Sequence, residues 1–507
     1  MANTSGTEHR ALLTVCVMLA TIMQALDTTI ANVALPYMQG SLSATLDQVN
    51  WVLTSYIVAA AIAMPVTGFL VARYGRKAVF LGAVAGFTVA SVLCGIAASL
   101  EQMVLFRLLQ GIFGAPLVPM SQSVLLDSYP KEQHGSAMAI WGVGVMVGPI
   151  LGPTLGGYLT DTYNWRWVFY INLPVGILTF VGLSAYLSDS ARRTVNFDWF
   201  GFLALSIAIG SFQMMLDRGE QLDWFSSPEI VIEFVVAGLA LYMFLVHTFT
   251  AEEPFIDPRM FNDRNFSLGL ALIFMVGIIL LATLALLTPY LQNLMGYPVL
   301  TAGMVLAPRG MGTMVAMMLV GRLINRVDAR LLVLLGLGLT AYVLWEMSAY
   351  TPSVSQRTLV IQGVLQGLGL GFMFVPLSTI AFATLPAKYR TEGTALFSLM
   401  RNIGSSIGIS LVIFLLGRNT QIMHSQLSEH ITPFNGALRE PGVATLWNLG
   451  SEAGRLALNT EITRQANSIA YGNDFRLMMI MALIAMPFIF LLRKAGAVKT
   501  HDTSVID

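Results

Sequence analysis

The chain has 507 residues, of which 55% are hydrophobic and 11% charged, and its 28 basic and 28 acidic side chains leave no formal net charge. A soluble globular protein carries about 25% charged residues, so this composition excludes one and reads as an integral membrane protein. The neutral balance leaves no basic footprint for nucleic acid.

Residues 1–10 are short and polar, and the apolar run that follows is too long for a signal-peptide core, so the first span is expected to be retained. A span needs about 20 apolar residues. Runs that meet or approach this lie at 12–34, 51–72, 79–99, 103–126, 136–159 and 166–187, then at 198–216 and 229–249. A second set follows at 266–290, 300–324, 331–350, 358–384, 394–416 and 474–493. The expected organisation is fourteen helices: a six-helix bundle in 1–190, two accessory helices and a linker in 191–262, and a second six-helix bundle in 263–507. With the N-terminus inside, Arg73, Arg76, Lys77, Lys131, Arg192, Arg193, Arg259, Arg264, Arg326, Arg330, Lys388, Arg390, Arg493 and Lys494 all fall on the cytoplasmic side. The short outer loops hold only Arg166, Arg218 and Arg357, a bias that places both termini in the cytoplasm. Residues 417–473 read as a long polar outer loop. Pro433, Asn435, Gly436, Pro441 and Gly442 make its first part irregular, and a helix is expected over 452–468. A loop of this length suits partner docking and plain connection equally.

Asp27 lies deep in the first span. A carboxylate at membrane depth costs roughly 2.5–3.5 kcal/mol on translocon scales, and no neighbour in the sequence offsets it. An ionisable group kept there points to proton or cation handling, because it can alternate between protonated and charged forms as access changes sides. The competing reading is a permanently hydrogen-bonded structural acid. Gln24 sits one turn earlier on the same face. Arg107, in the fourth span, stays charged under all ordinary conditions and therefore needs a polar interior. It can pair with Asp27 and tune it, or clamp backbone carbonyls. Gln24, Thr28, Asn32, Gln110 and Glu346 are candidates for a substrate cavity, with Glu346 near the outer end of span eleven, where a headgroup role is equally open.

The two sets of spans resemble each other. Residues 68–77 and 321–330 share Gly, Leu, Arg and a final basic residue, and Gln110-Gly111 recurs as Gln366-Gly367. Repeats related by an axis along the membrane normal are a transporter architecture. Arg107 has Gly363 as its counterpart, and 266–290 carries no acid to match Asp27, which suggests a role beyond scaffolding. Gly68, Arg73, Gly75, Arg76 and Lys77 read as a loop staple or gate. Gly144, Gly148, Gly152 and Gly156 recur every four residues and so share one helix face, where another helix can approach closely. Pro149 and Pro153 beside that face favour a bend. This pattern is expected to form a tight, bendable contact between the halves. Glu233 reads as a headgroup-level acid, and Arg309 and Arg401 need polar surroundings. Cys16 and Cys94 lie in apolar runs and read as packing residues rather than a disulfide or metal pair. No phosphate-binding loop, His/Cys metal cluster or sizeable soluble domain is present, so the chain reads as no enzyme and needs no cofactor. Energy is expected from an ion gradient or from the substrate's own gradient.

The string Leu26-Asp27-x-Thr29-x-x-Asn32-Val33-Ala34-Leu35-Pro36 resembles the first-span signature of the 14-span drug:proton antiporters of the major facilitator superfamily. Residues 68–77 resemble its loop 2–3 motif, Arg107-x-x-Gln110-Gly111 its span-four motif, and 144–157, with Gly148-Pro149, its antiporter motif. Trp165-Arg166-Trp167 to Asn172-Leu173-Pro174 resembles the next signature. Leu216-Asp217-Arg218-Gly219, Leu222-Asp223-Trp224-Phe225 and the loop with Pro433-Phe434-Asn435 resemble the EmrB-type branch. The resemblance implies the all-α major facilitator fold and efflux of hydrophobic toxic compounds across the inner membrane, driven by the proton gradient. It also implies an EmrA-type periplasmic adaptor, a TolC-type outer-membrane channel, and Asp27 and Arg107 as the coupling pair. Alternatives are a dedicated exporter of one endogenous metabolite, siderophore or lipid, and a non-transporting envelope scaffold. The loop 2–3 motif departs from its usual form, with Ala72 where an Asp is common.

Overall fold

In hydrocarbon every backbone N–H and C=O must be satisfied internally, which leaves helices or closed barrels; here all described regular elements are helical. The computed structural model describes residues 4–190, 192, 196–324, 326–432, 435–440, 442–443 and 447–493. Pro433, Phe434 and Pro441 of the outer loop, and the orientation markers Arg193 and Lys494, lie outside the described residues.

The first bundle comprises α1 (Thr4–Ser41), α2 (Leu46–Ala63), α3 (Val66–Tyr74), α4 (Arg76–Ile96), α5 (Leu100–Gly114), α6 (Leu117–Ser128), α7 (His134–Thr162), α8 (Trp167–Tyr170) and α9 (Asn172–Tyr186). Two accessory helices follow, α10 (Trp199–Arg218) and α11 (Pro228–Thr250). The second bundle holds α12 (Arg264–Pro289), α13 (Val299–Leu323), α14 (Ala329–Met347), α15 (Gln356–Ala383), α16 (Arg390–Glu429) and α17 (Glu452–Ile489). Among the described residues, 13 stretches are long and apolar enough to cross a bilayer, and α2 with α3, bent by 55°, brings the number to 14. The bend falls at Pro65, whose missing N–H interrupts the ladder. Polar side chains close the helix starts: Thr45 and Gln48 form a reciprocal capping box on α2, and Asp263 accepts from the Phe266 N–H on α12.

The packing repeats. α1 lies on α7 as α12 lies on α16, α2 on α5 as α13 on α15, and α4 on α5 as α14 on α15. The bundles meet chiefly along α7 and α13. The accessory pair rests instead on α2 and α16, one helix from each bundle: Thr54 of α2 donates to the Asp217 carboxylate, and Gln213 donates to Ser406 of α16 at 2.9 Å.

Two features differ from the sequence reading. The glycine face of α7 packs inside the first bundle against α1, not across the halves. A Cβ on Gly148 would meet the Ala25 carbonyl, one on Gly152 would meet Thr29, and one on Gly156 would lie 2.9 Å from Ile30. The cross-bundle contact uses other α7 positions: Gly142 against Met317, and Ile150 against Gly310. A four-residue period identifies a face but not its neighbour. α7 also runs as one helix through Pro149 and Pro153. Secondly, 417–473 is mostly helix. α16 continues to Glu429, because no Pro or Gly interrupts it after Gly417, and the helix expected over 452–468 is the first part of α17. The two extensions pair, with Thr420 donating to Asn467 at 2.8 Å and His424 bonded to Asn459 at 3.0 Å.

Candidate functional site

Asp27 sits mid-helix on α1, just past the place where α1 and α7 approach most closely. The approach is fixed by the glycine face and by Thr29, which donates to the Gly148 carbonyl at 3.0 Å. Asp27 is thereby turned away from α7 into the middle of the first bundle, where it is 1% exposed. Three donors converge on it. Arg107 Nη1 reaches Oδ2 at 2.7 Å, Gln110 Nε2 reaches Oδ1 at 2.8 Å, and Asn172 Nδ2 reaches Oδ1 at 3.0 Å. Arg107 and Gln110 share a face of α5 at a spacing of three, so one helix supplies both the cation and the amide.

The guanidinium is equally enclosed. Arg107 is 1% exposed; its Nε donates to the Val52 carbonyl at 3.0 Å and its Nη1 also donates to Gln110 Oε1 at 2.8 Å. The ring of Tyr56 lies 4.4 Å from its carbon centre and that of Phe169 5.6 Å, both within cation–π range. Asn172 is held in turn by donating to Ser91 Oγ at 2.9 Å, and Ser91 donates to the Phe169 carbonyl at 2.9 Å. Both carboxylate oxygens, and Nε and Nη1 of the guanidinium, therefore have fixed partners. Burying two charges nearly cancels their attraction, so a pair of this kind adds little to stability. Protonating Asp27 would leave Arg107 Nη1 without its counter-charge, while the carbonyl of the neutral acid can still accept from an amide.

Other polar candidates fall around this core. Gln24 is partly buried and donates to the Tyr56 hydroxyl at 3.2 Å, which ties it to the rings over Arg107. Thr28 is partly buried and Asn32 exposed; Asn32 donates to the Thr28 carbonyl at 3.2 Å, so both lie on the open side of α1. Glu346 is not brought to this group. It accepts from Gln362 at 3.3 Å in a cluster on α14 and α15 that includes Tyr350. Arg401 lies 5.8 Å from the Phe374 ring, which stacks at 5.6 Å on Trp141 of the other bundle. Asn172 belongs to the site but was absent from the sequence candidates, although its Asn-Leu-Pro signature was visible. Asp474 was missed too. It is 1% exposed at the boundary chosen for the last span and accepts from Asn419 at 3.2 Å, with no cation paired to it among the described residues.

At the end of the bundles that carries most basic residues, the loop motif forms a clamp. Arg76 and Arg390 both pair with Asp127 at the end of α6, the second at 2.5 Å, and this joins the two bundles. Ser123 and Thr391 hydroxyls bond across the same seam at 3.0 Å, and Gly68 passes Glu392 so closely that a Cβ would lie 3.1 Å from the Glu392 Cβ. Gly75 has φ of 87°, a conformation other residues resist, and a Cβ there would run into the Asp189 carboxylate. Lys77 donates its Nζ to the Ser184 carbonyl at 2.6 Å. The Arg192 guanidinium beside Asp189 holds that carboxyl below its usual range.

Known proteins resemble this chain over most of its length. Residues 17–409 match the Major Facilitator Superfamily. The probable multidrug resistance protein EmrY of Escherichia coli K12 is 36% identical over 475 residues, covering 93% of each chain. The multidrug export protein EmrB of Haemophilus influenzae is 38% identical over 429 residues, covering 84% of each chain. Among solved structures, the proton:xylose symporter XylE shares the fold with a TM-score of 0.64 at 12% identity, over 96% of both chains.

Proposed function

The chain belongs to the major facilitator superfamily, and from that premise we propose that it is a multidrug efflux antiporter that couples proton entry to the export of hydrophobic toxic compounds across the bacterial inner membrane. The observation that carries the reading is the buried Asp27–Arg107 pair, joined by Gln110 and Asn172, between transmembrane helices α1, α5 and α9. A buried ion pair of this kind contributes little to stability but supplies a protonatable group with a defined response. Asp27 is the proton-binding acid, Arg107 sets its charge preference, and Gln24, Thr28 and Asn32 line the substrate path.

The relatives named for multidrug export support the substrate class, and the cytoplasmic placement of both termini follows from the basic residues at one end. In that orientation Asp127, Arg76 and Arg390 close the cytoplasmic side, and the α16–α17 extensions project outward as a docking surface for an EmrA-type adaptor leading to a TolC-type channel. Two experiments test the parts separately. A drug-susceptibility panel in an efflux-deficient host should show protection by the wild type and none by Asp27→Asn; equal protection by both overturns the coupling role. Replacing 425–470, which removes most of both extensions, with a short linker should abolish co-purification with an adaptor while leaving transport in vesicles intact, and normal assembly after that change removes the docking role.

A further inference from the structure

Asp474 of α17 is a buried acid that the Asp27 site does not use. It is 1% exposed and lies where the α16–α17 extensions enter the second bundle. Three polar rungs tie these two helices together. His424 meets Asn459 at 3.0 Å, Thr420 meets Asn467 at 2.8 Å, and innermost Asn419 donates to Asp474 Oδ1 at 3.2 Å. On α17 the rungs fall at 459, 467 and 474, steps of eight and seven residues. Each step is about two helical turns, so all three side chains share the face that meets α16. Of the three rungs, only the innermost carries a carboxyl group.

The surroundings give that carboxyl little. Tyr471 meets the Tyr290 ring edge-on at 5.3 Å, and Phe475 meets Tyr350 edge-on at 6.3 Å. A Cβ on Gly472 would lie 2.8 Å from the Ser348 carbonyl oxygen, so α17 presses directly on the end of α14. The titratable groups on the neighbouring elements have other partners. Tyr290 donates to the Thr351 carbonyl at 2.8 Å, Tyr350 donates to Gln362, and Glu346 accepts from Gln362 at 3.3 Å. Arg418 of α16 and Arg476 of α17 are exposed, and neither pairs with Asp474 among the described residues. Asp474 Oδ2 is buried and has no hydrogen-bond partner among the described residues. Asp27 is buried to the same extent, yet it has a guanidinium and two amides. One amide does not compensate a buried charge, and an acid so placed neutralises by keeping a proton.

We propose that Asp474 is a second proton-binding site, loaded in this state while Asp27 is ionised, and that release of its proton parts α16 from α17 at this root. An ionised Asp474 needs water, and the seam that runs out to the exposed His424–Asn459 rung is the way to it. Parting the helices there breaks the Asn419 bond and then the two rungs beyond it. The site does not depend on the export reading, because it lies in the bundle without Asp27 and is read by its own proton.

Infrared difference spectra of the purified full-length chain at neutral pH test the occupancy. A carboxylic-acid C=O band is expected in the wild type and in Asp27→Asn, and it should vanish in Asp474→Asn. Asn419→Leu, which removes the donor on Oδ1, should keep that band and move it to higher frequency, so the assignment stands even if Asp474→Asn fails to fold. Amide hydrogen exchange tests the release. An opening that frees one proton grows about tenfold per pH unit. Exchange at 415–423 and 467–477 in the wild type should therefore outpace Asp474→Asn by about that factor per unit as pH rises, and match it in acid. The amides of α12 in the same sample give the same comparison without a variant. Absence of the band in the wild type, its persistence in folded Asp474→Asn, or exchange that rises no faster than in the variant and in α12 overturns the proposal.

Discussion

Asp27→Asn removes one negative charge and little else. The amide keeps the shape of the side chain and an acceptor for Gln110 or Asn172, but it takes away the charge 2.7 Å from Arg107 Nη1. Arg107 retains only the Val52 carbonyl, Gln110 Oε1 and the rings of Tyr56 and Phe169. Breaking a buried pair by removing one partner costs about 3–5 kcal/mol. A protonated Asp27 leaves Arg107 in the same condition, so a cycle that loads its proton here meets a similar cost. A potential of about 100 mV supplies about 2.3 kcal/mol per charge, roughly half of it. The remainder must come from a conformational change that gives Arg107 new partners or water. Asp27→Asn therefore has no route back to the charged state. In proteoliposomes with an imposed pH gradient it should lose gradient-driven substrate movement by about 100-fold or more, which corresponds to about 2.7 kcal/mol, and it should unfold at a lower temperature. Adding Arg107→Met removes the orphaned cation; thermal stability should recover while transport does not. Substrate-driven proton release by Asp27→Asn at the wild-type rate would refute the reasoning.

Three further outcomes follow from the geometry. Gly148→Ala should push α1 away from α7 and destabilise by about 1–3 kcal/mol, the usual penalty of overpacking. Gly157→Ala, where a Cβ meets nothing within 4 Å, should be near neutral; equal thermal shifts for the two would rule out the α1–α7 contact as the cause. Cysteines at Ser123 and Thr391, whose hydroxyls are 3.0 Å apart, should form a disulfide that stops transport until it is reduced, and continued transport in the oxidised protein would show that this seam does not open. Asp189 has a folded-state pKa below its ordinary value because of Arg192. Its contribution to ordering the loop around Gly75 is thus present above about pH 4, the unfolded value, and lost as pH falls through the lower folded value. Hydrogen exchange at 73–77 should quicken only in that acidic window, and quickening already near pH 6 would assign the loop's order to another group.

Much of the candidate site was legible before the fold, for a physical reason. Ionisable groups are so costly in hydrocarbon that Asp27 and Arg107 stand out individually, and their absence from the second half of the repeat marks them further. Asn172 was harder to see, because an amide near a helix start is common and only the packing of α9 against α1 and α4 turns it toward Asp27. Asp474 was hidden by its position at a span edge, where acids are ordinarily solvated. Glu346 was open between a cavity and a headgroup role in the sequence, and the fold shows its side chain bonded to Gln362, which in turn meets Tyr350, in the second bundle.

The sequence by itself determined that the chain is a membrane protein, how many times it crosses, which end is basic, and that a charge lies where charges are rare. These are properties of length, hydropathy and charge order, and they need no knowledge of neighbours. Only the tertiary structure decided that Arg107, 80 residues away in the chain, is the partner of Asp27. It also decided that the glycine face of α7 serves α1 rather than the other half, and that Arg309 fills the room left by Gly363 with no acid among the described residues to meet it. Those facts depend on which helix faces which. A helical period fixes a direction on one helix, but the partner across the gap is chosen by the packing of all of them together.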